Sequence, residues 1–513
     1  MNAATSLPKT ALAKPSLLLR AHWLLIGSSI VVFAALLRLL ALSAKPLHHD
    51  EGVNGLFMMR LVRNGVYRYD PSNYHGPSLY YFALIPTKLN SLLHGGDGLS
   101  TLAIRLVPAL FGIAVVWLML PLHRYVGRWA AGAAAVLIAV SPGNLFFSRY
   151  FIHETLFIFF TLAMAVLWFR YRESGKRMDL ILGAALAALL FATKETSVIS
   201  FVVLALAWLC TSLYLKLRQS QAAVSGKFFS WRRMTDAGIA LLLFAAISVV
   251  LYSSFFSNFP EGVYDSVRTY RVWMHTGTSA YQAPWFTYFQ WLAREELPIL
   301  LCGLMGILVA LCQAGNRFMV FAAFWTMGMI TAYSLVPYKT PWLTVNLILP
   351  LAIMAGYTFG WWYEFGRNAR LVRASAVVTF VAAVGFSAWQ AIDLSFYHYD
   401  DNSIAYVYAH TEREFLSLIQ EIESVAAHNG QGQNTGITVM SPEYWPMPWY
   451  LRDFRNVGYW GRYVDTGVPI VIAEDTQSEE IEQRLGRLYQ RSTSHDLRPG
   501  VRLVLYLRRD MQP

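Results

Sequence analysis

Charge is scarce in this sequence. Only 14% of its 513 residues are Asp, Glu, Lys or Arg, while 56% are hydrophobic, a balance that excludes both a soluble globule and a disordered chain and indicates an integral membrane protein. Cysteine is scarcer still: Cys210, Cys302 and Cys312 all fall in apolar runs, which leaves no disulfide framework and makes them small core residues. Lysine is absent after residue 395. That tail carries 11 Arg and 16 acidic residues, a charge of −5, against +16 for the part before it. There is no internal repeat and no Gly-rich motif to cradle a nucleotide phosphate. The formal charge of +11 lies mostly in loops between apolar runs, so a nucleic-acid partner is not suggested.

What is abundant is apolar length. About 20 such residues cross a bilayer as a helix, and the sequence predicts eleven spans, near 21–43, 101–122, 129–147, 155–169, 179–193, 197–215, 236–256, 297–313, 317–336, 342–363 and 373–393. The first is too long for a cleaved signal peptide and reads as a retained signal anchor. Basic stretches before it, from Arg170, from Lys216 to Arg233 and from Arg367 all fall on one side, which the positive-inside rule makes cytoplasmic. With eleven spans the tail lies outside. Residues 1–20 are then a cytoplasmic tail, 21–395 a transmembrane domain with external loops 44–100 and 257–296, and 396–513 an external domain.

Loop 44–100 is too long for a simple connection and reads as functional; its "SLYYFALIPTKLNSLL" suits an interfacial helix. Loop 257–296 is rich in Tyr, Trp and Phe, which sit at a membrane surface or stack on ligands. In the tail, "TEREFLSLIQEIESVAAH" opens with a capping box, Thr411 to Glu414, and repeats apolar residues at helical spacing. "GITVM", "PIVIA" and "VRLVLYL" read as buried strands and "SEEIEQRLGRLYQ" as a second helix. The fold class is a polytopic all-α membrane protein with a small C-terminal α/β domain outside the membrane.

Ionisable residues near bilayer depth cost about 2.5–3.5 kcal/mol each and usually mark a site. Here they gather at one set of span ends: Asp50 and Glu51 after the first span, Arg149, His153 and Glu154 between the third and fourth, Lys194 and Glu195 between the fifth and sixth, and Lys339 between the ninth and tenth. All reach the external face under the topology above, which points to one cavity. Carboxylates with His and Lys supply a base for an acceptor, cations for a leaving phosphate, and a donor set that leaves a divalent metal open.

These residues also carry a resemblance. "HHDEG" (48–52), "NYHGPSLYYFALIP" (73–86), "SPGNLFFSRYFIHETLFIFF" (141–160), "GAALAALLFATKETSVIS" (183–200) and "LVPYKTPWLTVNLILPLAIMAG" (335–356) resemble, in order and spacing, the GT-C membrane glycosyltransferases, in particular the protein O-mannosyltransferase and aminoarabinose lipid A transferase group. The resemblance covers roughly residues 20–365. It implies a GT-C-like fold, a polyprenyl-phosphate-linked sugar donor and, in the family's first external loop, an acid that acts as base or orients the acceptor, which falls on Asp50. Glu51 completes the acidic pair, Glu154 matches the second-loop acid, Lys194 the lysine closing the "ATK" segment, and Lys339 a cation near the lipid phosphate. His75 stands where the family often has Lys before two prolines, so phosphate contact there depends on protonation or hydrogen bonding. His48, His49 and His153 are extra imidazoles; with Asp50 and Glu154 they are the candidate metal ligands.

Each assignment has a plainer reading beside it. Asp50 and Glu51 suit a capped helix start. Lys194 and Glu195 suit a pair with each other, Lys339 a snorkelling interfacial lysine, and His153 a hydrogen-bonded core histidine. In the tail, "SPEYWPMPWYLRDFRNVGYW" (441–460) offers Trp445 and Trp449 as rings to stack on a sugar; the alternative is that they pack the domain or rest on the membrane surface. Stretches like it also occur in prokaryotic relatives of the group.

The function expected is an inverting transfer of a sugar from a polyprenyl-phosphate donor to a glycan, lipid or protein on the external face of an inner or plasma membrane. Asp50 activates the acceptor hydroxyl. Lys339, Lys194, Arg149 and His75 hold the phosphate, Glu51 and Glu154 position the acceptor or a metal, and His153, with Glu195 and Tyr338 beside the two lysines, joins the substrate contacts. Partners beyond the donor and membrane lipids are not indicated, and oligomeric state is not encoded. A lipid-linked sugar flippase would need polar groups near the midplane of several spans, and a non-catalytic assembly protein would have no use for the Asp50–Glu51 pair.

Overall fold

The computed structural model of the protein describes residues 17–72, 75–218, 231–279 and 282–511. The basic N-terminal segment up to residue 16 and the core of the basic loop, 219–230, lie outside them. Eight helices among the described residues are long and apolar enough to cross a membrane: Ala21–Leu39, Thr101–Val126, Glu154–Ser174, Ser197–Arg218, Met234–Tyr252, Arg317–Leu335, Pro341–Asn368 and Arg370–Tyr397. A ninth arises if Thr287–Glu295 and Leu297–Gln313, bent by 114°, count as one broken span.

All eleven expected segments are helical, but two are short. Arg128–Val140 has 13 residues and Arg177–Phe191 has 15, about 20 Å each at 1.5 Å per residue, against about 30 Å of hydrocarbon. The first stops at Ser141, whose hydroxyl caps a separate helix, Pro142–Phe147, and donates to Glu296 Oε1 at 2.8 Å. The second stops at Ala192, where the chain turns extended. Both stops release backbone toward the same end of the bundle.

The span Pro341–Asn368 is the central post, 94% buried, whereas Met234–Tyr252 is 6% buried and lies at the periphery. Small residues let helices meet closely around that post, as where Gly356 and Gly360 rest on Ala130 and Ala134.

The segment expected as loop 44–100 holds two helices. Ser78–His94 is helical where a helix is expected; His49–Asn64 is a helix that the sequence does not signal, since its Gly52, Asn54 and Gly55 weaken the helical pattern. Loop 257–296 likewise contains helices Glu261–Ser279 and Thr287–Glu295.

Beyond the last span lies one five-stranded sheet of order β2-β1-β3-β5-β4, with β1 Ile437–Val439, β2 Val457–Tyr459, β3 Ile470–Glu474, β4 Tyr489–Arg498 and β5 Val501–Arg508. β1 runs parallel to β2 and β3; β5 is antiparallel to β3 and β4. Helix Glu414–His428 covers one face through Phe415, Leu418 and Ile422, and Ser478–Leu485 covers the other through Ile481 and Leu485. The three expected strands are β1, β3 and β5. β2 is too short, and β4 ("YQRSTSHDLR") too polar, to register as buried strands. The Thr411–Glu414 capping box does not form: the helix starts at Glu414, with Arg413 at its N-cap and no side-chain cap.

Candidate active site

The helix His49–Asn64 begins with a reciprocal cap. The His48 N–H donates to Glu51 Oε2 at 2.9 Å, and the Asp50 N–H donates to His48 Nδ1 at 3.1 Å. Because Nδ1 accepts, the ring hydrogen is on Nε2, which donates to the Tyr408 carbonyl at 2.8 Å. The acidic pair is thereby divided. Glu51 turns inward, is 0% exposed, and accepts from Arg105 Nε and Nη2 at 2.7 Å each and from the Phe151 N–H at 2.7 Å. Burial raises its pKa, but the Arg105 charge and hydrogen bonds outweigh this and hold it below the usual carboxylate value. Glu51 therefore cannot reach a substrate, which corrects its assignment as a catalytic group. Asp50 is half-buried, and among the described residues its carboxylate accepts no hydrogen bond and has no ion-pair partner.

A short antiparallel pairing brings two further motifs together. His75 bridges Lys194, the Gly76 N–H donates to Thr193 O at 3.1 Å, and the Ser78 N–H donates to Ala192 O at 3.0 Å. A Cβ at Gly76 would lie 2.2 Å from the Ala192 carbonyl oxygen, so only glycine allows this approach. From here Lys194 Nζ donates to Glu154 Oε1 at 2.5 Å, with both side chains buried. Glu195 does not pair with Lys194. It accepts from the Tyr69 hydroxyl at 3.3 Å and meets His75 Nδ1 at 3.3 Å.

These groups share a cavity of about 350 Å³, within the range of small-molecule sites. One wall carries His49, Asp50, Asn54, His75, Glu154, Lys194 and Glu195; the other is aromatic, with Trp273, Tyr333, Tyr338 and Trp342. A carboxylate acceptor, a buried lysine and a set of rings in one enclosure suit a sugar with an attached anion.

Other expected residues are engaged elsewhere. Arg149 donates through Nη1 and Nη2 to the carbonyls of Leu37, Arg38, Leu40 and Ala41, capping the end of the first span; burial, with Arg105 nearby, lowers its pKa to about 10. Lys339 Nζ donates to the carbonyls of Tyr333, Ser334 and Val336, capping Arg317–Leu335 in the same way, and burial lowers its pKa. Neither lines the cavity, which corrects their placing at the phosphate. His153 is fully buried and donates from Nε2 to Gly76 O at 3.1 Å, a core histidine rather than a substrate contact. Burial first, then His75 and Lys194, push its pKa well below 6.5. Trp449 is buried and donates from Nε1 to Thr101 Oγ1 at 3.2 Å, and Trp445 packs on Gly52 with its ring 6.1 Å from that of His49; both hold the tail domain to the site helix and neither lines the cavity.

The metal candidates do not converge. His48 and His153 are committed to backbone carbonyls and Glu154 to Lys194, and among the described residues no three His, Cys, Asp or Glu side chains are placed to hold a metal ion. The described residues of the cavity do not fit a resident metal.

Sequence reasoning missed Arg105, Lys45, Asn54, Tyr69 and, of the aromatic wall, Tyr333 and Trp342; Tyr338 is an expected contact that does line the cavity. Arg105 had a signal: a lone cation inside the apolar run "TLAIRLVPALFG" needs a buried partner. Lys45 had none. It is buried, with Nζ 3.3 Å from the Tyr150 ring centroid and, among the described residues, no hydrogen-bond partner.

Residues 74–230, which include His75, Glu154, Lys194 and Glu195, match the family model of dolichyl-phosphate-mannose-protein mannosyltransferase. In fold, the chain is similar to ArnT from Cupriavidus metallidurans, in the apo state and bound to undecaprenyl phosphate, with a TM-score of 0.64 to each at 13% and 14% identity, covering 96% of this chain and 99% of those. The Archaeoglobus fulgidus oligosaccharyltransferase, solved in complex with Zn and sulfate, gives a TM-score of 0.53 at 12% identity over 90% of this chain and 68% of that one. No curated protein matches the chain by sequence. The fold is ArnT-like, with eight helices among the described residues long and apolar enough to cross a membrane and a small C-terminal sheet domain.

Proposed function

We propose that this chain transfers a sugar from a polyprenyl-phosphate donor to a hydroxyl acceptor at the external face of an inner or plasma membrane, with Asp50 as base. The observation that carries the reading is the Asp50 carboxylate, without a hydrogen-bond partner among the described residues, sharing one cavity with the buried Lys194–Glu154 pair. The undecaprenyl phosphate bound by the ArnT of similar fold supports the donor class.

In the reaction, the acceptor oxygen attacks the anomeric carbon from the face opposite the lipid phosphate. Its O–H bond breaks as Asp50 takes the proton, and the bond from the anomeric carbon to the phosphate oxygen breaks with its electrons going to the phosphate. Lys194, oriented by Glu154, and His75, oriented by Glu195, meet the charge that develops there. The configuration inverts. Tyr338 and Trp342 form the aromatic side of the sugar site.

A flippase would need free polar groups along the depth of the spans. The intramembrane cations Arg38 and Arg105 are instead bound internally, Arg38 to the carbonyls of Ala34, Ile138 and Ala139 and Arg105 to Glu51 and three carbonyls.

The test compares glycan product in membranes of a deletion strain complemented with wild type or Asp50→Asn at equal protein level. Loss of a general base lowers turnover about 10²- to 10⁴-fold, so product should vanish while the protein stays folded. Full product from Asp50→Asn would overturn the reading.

A further inference from the structure

The tail domain packs on the site helix through Trp445, Pro446 and Trp449, and a further side chain, Arg498, reaches the helix start. β4 and β5 form a hairpin closed by Pro499–Gly500, with Gly500 at a φ of +80° that glycine supports without strain. Arg498, the last residue of β4, points from this turn toward the site helix. Its Nη1 lies 3.1 Å from His49 Nδ1, and its Nη2 is ion-paired with Glu443. Its side chain is 12% exposed and does not line the cavity.

A guanidinium has five donors and no acceptor. The contact with His49 therefore has one sense: Arg498 donates and Nδ1 accepts. Nδ1 is thus bare and the imidazole is neutral, with its hydrogen on Nε2. Burial first, and then His48 and Arg498 against the opposing pull of Asp50, hold the ring below its ordinary pKa. Among the described residues Nε2–H has no hydrogen-bond partner, and His49 and Asp50 both line the cavity. An N–H donor and a carboxylate acceptor on adjacent residues match the two faces of a hydroxyl, which donates to one and accepts from the other.

We infer that Arg498 is a positioning residue of the external domain: anchored by Glu443, it locks His49 in the Nε2–H form, so that His49 and Asp50 together hold the acceptor hydroxyl. The hydroxyl rests on the proposed function, whereas the lock does not. The tail domain thereby completes the site and does more than cover it.

The lock is read by ¹⁵N NMR of the full chain in bilayers with labelled histidine, His49 being identified by the signals lost in His49→Gln. Wild type and Arg498→Lys, which keeps a donor, should show a bare Nδ1 and a protonated Nε2; Arg498→Met should show both tautomers. A protonated Nδ1 in wild type, or an Arg498→Met spectrum like that of wild type, overturns the lock.

Glycan product in the complemented strain reads the role. Arg498→Met and His49→Leu should lose about five- to tenfold, the scale of one neutral hydrogen bond. His49→Gln, whose amide N–H replaces Nε2–H, should keep most product, and Arg502→Gln on the same hairpin should keep all of it. Should Arg498→Met fold poorly, the contrast between His49→Gln and His49→Leu still decides. Equal product from those two overturns the positioning role. Product from Asp50→Asn overturns the proposed function alone, and leaves the tautomer result standing.

Discussion

Glu51 and Arg105 are joined by two hydrogen bonds of 2.7 Å with both side chains 0% exposed, and all five Arg105 N–H groups are used: two on Glu51 and three on the carbonyls of Leu42, Lys45 and Pro46. The pair ties the entry to the site helix onto the span Thr101–Val126. Removing one partner leaves an uncompensated buried charge, which costs about 3–5 kcal/mol. Glu51→Gln and Arg105→Met should each lower the folded yield and melting temperature of the detergent-solubilised chain sharply, and the double variant should recover part of the loss, since no charge is then stranded. Losses in the two single variants that simply add in the double would mean the residues act independently.

The same pair shows what the sequence discloses. The "HHDEG" stretch stands out because four titratable groups follow an apolar run, and His49 and Asp50 of it line a cavity. It does not tell which carboxylate faces out, because that follows from a helix start at His49 and from a cation 54 residues away. Apolar length likewise finds the eight helices among the described residues that are long enough to cross a membrane and the bent pair, yet it counts eleven spans because two of its segments stop early to deliver Ser141 and Thr193. Arg149 and Lys339 were misplaced because a cation at a span end serves a phosphate or a helix C-terminus equally well by its sequence; only the carbonyls around it decide.

The two lysines should therefore behave differently. Lys194 lines the cavity, and on the proposed mechanism its loss removes a donor for the leaving phosphate, an effect of about 10²–10³ in turnover. Lys194→Met strands the buried Glu154 carboxylate and should therefore lower the melting temperature as well, but product per folded protein should still fall about 10²- to 10³-fold. Lys339→Met removes three hydrogen bonds from helix-end carbonyls and should lower stability, with product falling only in proportion to folded protein. Normalising product to folded protein in both strains checks this, and equal normalised losses would return Lys339 to the site.

Acid should weaken the fold through buried histidines. Burial first, then the charges of Lys45, His48 and Arg105, push the His410 pKa well below its ordinary 6.5; its Nδ1 shares a hydrogen bond of 3.1 Å with the Tyr150 hydroxyl. The unfolded chain binds a proton there as pH falls through 6.5 and the folded one does not, so stability is unaffected above that pH. Below it, stability falls by up to about 1.4 kcal/mol per pH unit for each such group. His153 adds in the same direction. The melting temperature should drop between about pH 7.5 and about pH 5.5. His410→Asn keeps a partner for Tyr150 without titrating and should show a smaller drop; an unchanged difference would exclude His410 as a contributor.

Domain docking onto the site helix rests on missing side chains. A Cβ at Gly52 would stand 2.5 Å from Pro446 Cβ and 2.7 Å from its Cα, and one at Gly55 would stand 2.6 Å from Trp449 Cε3. The backbone of Pro446 cannot yield as a flexible side-chain end would, so Gly52→Ala must push the domain off the helix or bend the helix away, at the cost of about 1–3 kcal/mol that overpacking usually carries. The displacement would carry Arg498 away from His49 and loosen the Tyr450 hydroxyl from the Leu47 N–H, a bond of 2.9 Å. Gly52→Ala should thus speed limited proteolysis at the junction near residues 398–413 and reduce product, while the helix bundle keeps its melting transition. Gly65, where an added Cβ meets nothing within 4 Å but φ is +71°, separates the two causes. Gly65→Ala strains the backbone without touching the domain, so it should cost stability with no change in cleavage at the junction; faster cleavage there as well would mean that the helix, and not the interface, had been disturbed.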